Sequence, residues 1–109
     1  DAAAVVLAFD PANPAPPPGS RYVMVWLQGR SLSTEIVQPA FDWWLSDGSG
    51  EFRPSIPGCG LLPDSIYDVA DLEPDEVFDA QLCTAVPFAS ASLQLHIRPL
   101  GGRTWVFDL

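Results

Sequence analysis

Phe41-Asp42-Trp43-Trp44-Leu45-Ser46-Asp47-Gly48-Ser49-Gly50-Glu51-Phe52 is a strand, a turn and the start of a returning strand in one short run. Phe41, Trp43 and Leu45 fall on one side of a period-2 ladder, and Asp42, Trp44 and Ser46 on the other. Ser46 to Gly50 carries the Asp, Ser and Gly chemistry of a turn. Glu51 to Arg53 then returns as the partner of a hairpin. The same grammar repeats outward in both directions.

Upstream, Arg21 to Gln28 sets β-branched and aromatic residues in unbroken succession, which predicts a strand. Before it, Ala2 to Phe9 reads as a first β-type run closed by Asp10-Pro11. Pro11 to Gly19, with five prolines, reads as an extended connector. Ser31 to Pro39 is polar and reads as a turn or crossing segment. Downstream, Pro54 to Asp75 is loop-rich, with Cys59 near its tip and a short strand expected at Ile66 to Val69. Glu76 to Val86 and Ser92 to Arg98 alternate, and Gly101-Gly102 turns the chain into a last strand, Thr104 to Leu109. No stretch of ten residues keeps helical spacing without a breaker. The expectation is all-β: a single immunoglobulin-like antiparallel β-sandwich over residues 1–109, of seven to eight strands.

Alternation also assigns faces. Phe78, Ala80 and Leu82 oppose Asp79, Gln81 and Cys83; Leu93, Leu95 and Ile97 oppose Gln94, His96 and Arg98; Trp105 and Phe107 oppose Val106 and Asp108. The first member of each set is expected in the core, together with Phe41, Trp43 and Leu45. Cys83 then projects outward, where the loop around Cys59 can reach it.

Composition narrows the function. The chain of 109 residues is 48% hydrophobic, which disfavours a disordered acidic tail. Twelve prolines are too many for a helical bundle. Fourteen acids against five arginines and no lysine give a charge of −9, so no nucleic acid is expected as a partner. Cys59 and Cys83 are the only cysteines, and in a small proline-rich domain they read as a disulfide of an oxidising compartment. With a loop of about two dozen residues, such a bond adds roughly 3 kcal/mol. Neither a C-x-x-C pair nor a His/Cys cluster offers zinc ligands, and no metal or cofactor is expected. The apolar run Ala2 to Phe9 is too short to span a bilayer and lacks the parts of a signal peptide, so no direct bilayer insertion is expected. Opening on Asp1, the chain reads as a mature or trimmed exported domain, with any leader or anchor outside the sequence.

Three stretches carry a resemblance. Tyr22-Val23-Met24-Val25-Trp26-Leu27, the hairpin Phe41 to Phe52, and Leu72-Glu73-Pro74-Asp75-Glu76 running on to Val86-Pro87 follow in a familiar order. The chain resembles the telokin-like, immunoprotective-extracellular-protein-like family of immunoglobulin-fold domains. These are domains of unknown function in secreted or lipid-anchored bacterial proteins. Asp75 stands where the turn of that family usually carries glycine. The resemblance implies an extracytoplasmic module and brings no catalytic residues.

The remaining polar features read as ordinary surface. His96, the single histidine, falls on an outer face without the serine and buried acid of a triad. Asp47-Gly48-Ser49-Gly50-Glu51 is too short for a calcium loop. Asp64, Asp68, Asp71, Glu73, Asp75, Glu76 and Asp79 read as a solvated face. The aromatics are more pointed. Tyr22, Met24 and Trp26 share one face of a strand whose other face, Val23, Val25 and Leu27, is also apolar, and Trp44 turns away from Trp43. Something must cover the second face. It is the connector or disulfide loop, a partner protein, or a glycan stacked on the tryptophans. The sequence therefore predicts a non-enzymatic exported domain that binds a protein at the bacterial cell envelope, as a secreted antigen-like protein or an accessory domain of a membrane complex. Tyr22, Met24, Trp26 and Trp44 are its candidate contact face. A glycan- or small-ligand-binding module is the alternative.

Overall fold

In the computed structural model, which describes residues 1–39, 41–54 and 58–109, the order is α1 (Ala2–Phe9), β1 (Ser20–Arg30), β2 (Phe41–Ser46), β3 (Glu51–Phe52), a 3₁₀ turn (Ile66–Asp68), β4 (Val77–Pro87), β5 (Gln94–Pro99) and β6 (Trp105–Asp108). All strand pairings within the two sheets are antiparallel: β1 with β4 in one, and β3-β2-β5-β6 in the other. Residues 40 and 55–57, the latter within the stretch Pro54 to Asp75 read as loop-rich, lie outside the described residues.

The sheets face each other across Trp43, Leu45, Leu82, Val86, Leu93 and Leu95, with Val23, Val25, Leu27, Phe41, Phe52 and Ile97 packed around them. β2, β4 and β5 thus turn inward the alternate residues that alternation assigned. Trp43 also donates its indole N–H to the Tyr67 hydroxyl at 3.3 Å.

Six strands form among the described residues, not seven or eight, because two expected strands are helical. Ala2–Phe9 is an α-helix. Its uniformly apolar sequence has no alternation to hold it extended, four alanines favour helix, and the Asp1 carboxylate accepts from the Ala4 N–H at 3.1 Å as an N-cap. Ile66–Asp68 is a 3₁₀ turn, capped by Ser65, whose hydroxyl accepts from the Tyr67 N–H.

A second cluster lies outside the β1–β4 sheet: Val6, Tyr22, Cys59, Leu62 and Cys83, with Ala2, Ala3, Met24 and Ala85 beside them. The Cys59–Cys83 disulfide joins the long loop to β4 directly across from Met24. Asn13 fastens α1 to that loop: its amide nitrogen donates to the carbonyls of Val6 and Leu61, and its oxygen accepts from the Leu61 N–H at 2.7 Å. Asp75 takes the left-handed conformation, φ 64°, expected of a glycine at that turn.

The core assignment fails at β6. Phe107 sits opposite the buried Leu95, and Trp105 opposite Ile97, so both rings are on the inner side of their sheet. They are nevertheless 45% and 62% exposed. A four-stranded sheet faces a two-stranded one, and β6, at its edge, has no strand across from it among the described residues.

Candidate functional site

The four residues read as one contact face are separated. Tyr22 is 5% exposed beneath α1 and the disulfide loop. Its hydroxyl donates to the Pro14 carbonyl at 2.8 Å, and burial pushes its pKa up. Met24 is half-buried in the same cluster. Over these two residues the second apolar face of β1 is covered from within the chain. Trp26, beyond that cover, is 58% exposed.

Trp44 belongs to the other sheet. It is 5% exposed, because long side chains close over its ring. The Arg53 guanidinium lies 4.2 Å from the ring centroid and that of Arg98 5.4 Å away. The His96 ring stacks at 5.1 Å and 7° from parallel. Glu51 holds Arg53 at 3.2 Å, Asp42 holds Arg98 at 3.1 Å, and Ser46 Oγ lies 2.7 Å from His96 Nε2. Cross-strand register explains the assembly: Trp44 pairs with His96 and Asp42 with Arg98. His96 is thus a packed, hydrogen-bonded residue. The Trp44 indole N–H has no partner among the described residues.

The Asp47 carboxylate is occupied by its own turn. Oδ1 accepts from the Ser49 N–H, the Ser49 hydroxyl and the Gly50 N–H, and Oδ2 accepts from the Ser90 hydroxyl at 2.7 Å. These bonds, led by that from Ser90, lower its pKa to about 2. Among the described residues no three His, Cys, Asp or Glu side chains are placed to hold a metal ion, and no helix is long and apolar enough to cross a membrane.

What sequence reasoning missed is the open side of the molecule. Arg21, Val23, Met24, Val25 and Trp26 of β1 form one wall of a groove of about 490 Å³, with Leu93 and Leu109 across from them. Leu109 donates its N–H to the Leu93 carbonyl, so the ladder of β6 runs into the groove. Phe107 and Trp105 continue the same face. Between Arg21 and Arg30, β1 makes its described backbone hydrogen bonds to β4 alone, and no strand pairs with its other edge among the described residues. Alternation placed Trp105 and Phe107 on the correct side. It carries no information on how many strands stand opposite. In comparisons with known proteins the chain matches no family model, no curated protein and no solved structure.

Proposed function

We propose that this chain is a non-enzymatic, exported, immunoglobulin-like domain that binds a partner protein at the bacterial cell envelope through the open side between β1 and β6. One observation carries the reading: an eleven-residue strand, paired along one edge alone among the described residues and bearing the exposed Trp26, shares a groove with Leu109, from which the exposed Phe107 and Trp105 follow along β6. Aromatic and aliphatic groups gathered at an open edge are the usual material of a protein interface. The disulfide supports an oxidising, extracytoplasmic location. The resemblance to secreted and lipid-anchored domains adds the envelope. Of the four residues read as the contact face, Trp26 and the groove-lining Met24 keep that role in the proposal, whereas Tyr22 and Trp44 are enclosed. For a glycan, Trp26 and Trp105 are the exposed indoles, and they would respond in fluorescence to a polysaccharide panel.

A photo-crosslinking phenylalanine analogue at position 107 tests the proposal. It should trap one defined protein in the exported fraction of producing cells. The same analogue at Leu32, also exposed, should not. Trapping at neither position, or equally at both, overturns the reading.

A further inference from the structure

The open edge of β1 has a charge of its own. Of the five arginines, Arg53 and Arg98 are held by Glu51 and Asp42. Arg21, Arg30 and Arg103 have no ion pair among the described residues. Two of those three lie on β1, which carries no acid in a chain of net charge −9. The groove beside it is lined by one cationic side chain, Arg21, and no acidic side chain among the described residues. Arg21 donates one guanidinium N–H to the Ser90 carbonyl at 3.0 Å, which fixes its direction while leaving other donors of the fork free.

From this we infer that β1 accepts an extended segment of the partner as an added strand, with apolar residues at alternate positions and an aspartate or glutamate where the segment meets Arg21. The inference rests on the partner-binding reading and names the chemistry of its ligand. Main-chain bonds to the open edge give the attachment. One set of alternate side chains enters the groove against Val23, Val25, Leu93 and Leu109, and the other runs beside Met24 and Trp26. The carboxylate takes the free arms of Arg21 as a charge-assisted pair.

A second copy of this chain fits less well. Pairing β1 with β1 brings arginines to arginines. Of the other edge strands, β3 is two residues long, β4 is met at Gln81 by the Asp64 carbonyl, and β6 is four residues long with its Asp108 already accepting from Gln94.

Selection of linear ten-residue peptides from a random displayed library tests the idea. The enriched sequences should alternate apolar residues and carry an acid near one end. The best of them, made synthetically, should slow amide hydrogen exchange in Tyr22 to Gln28. N-methylation of one alternate set of its amides should weaken binding at least tenfold, and of the other set little. Arg21→Glu should weaken it at least tenfold, and Arg21→Gln, which keeps a donor for Ser90, by less. No enriched peptide, a basic consensus, protection elsewhere, or indifference to N-methylation overturns strand addition. So does self-association that protects β1 without peptide. If strand addition fails while the position-107 crosslink still forms, the partner reading stands. If the peptides bind as expected and no crosslink forms, the proposed envelope partner falls and the edge remains a peptide site.

Discussion

Asp47 shows how one residue sets a pH response. Its folded pKa of about 2 lies below its ordinary value of 3.8, so the carboxylate favours the folded state above pH 3.8 and loses that contribution as pH falls through about 2. Asp47→Asn is expected to be less stable than the parent at pH 7 and to approach it near pH 2, as read by urea midpoints at both pH values. Trp44 and Trp26 make a sharper contrast. Replacing the enclosed Trp44 by alanine uncovers the stack of Arg53, His96 and Arg98, and about 3 kcal/mol or more is expected to be lost. Trp26→Ala, at an exposed ring, is expected to change stability by only about 0.5 kcal/mol. Chemical denaturation of the two variants checks both figures. Gly60 is constrained differently: its φ is +80°, and a Cβ there would collide with the Asn13 side chain.

Among the elements, the disulfide has the clearest energetic role. It closes 24 residues of sequence, and breaking it is expected to cost about 3 kcal/mol, visible as a fall in the melting temperature under reductant. The cluster of Val6, Tyr22 and Leu62 should loosen with it, exposing the loop to limited proteolysis. The pairing of Cys59 with Cys83 was legible because the chain has no other cysteine. Strands β2, β4 and β5 were legible because their apolar residues alternate, and β1 because β-branched and aromatic residues follow one another unbroken. Helix α1 was not, since Ala2 to Phe9 is apolar at every position and periodicity cannot choose between helix and strand. Capping by Asp1 was the available signal. Trp105 and Phe107 were placed on the right face and given the wrong environment, because exposure depends on the opposite sheet and no local pattern reports it. Trp44 was read as outward-facing, correctly, but its cover comes from Arg53 and Arg98, residues brought to it by register.

For the whole molecule, unequal sheets and net charge govern behaviour together. The radius of gyration is 14.5 Å, where about 13 Å is usual for this length, and the extents of 45 × 32 × 19 Å describe a flattened body with one side unfinished. An acidic segment approaching a molecule of charge −9 meets long-range repulsion before it reaches Arg21. Added salt screens that repulsion over about 10 Å at 0.1 M. The association rate constant for the acidic peptide is therefore expected to rise between 20 and about 150 mM salt in stopped-flow measurements, opposite to the behaviour of oppositely charged pairs. The disulfide has a last consequence, for a molecule exposed to proteases. From 54 to 97 the chain has no arginine or lysine, so trypsin-like enzymes find no site there. An enzyme that prefers aromatic residues can cut at the exposed Tyr67, but that bond lies inside the disulfide-closed loop. The two fragments stay covalently joined, and a nicked chain remains one particle.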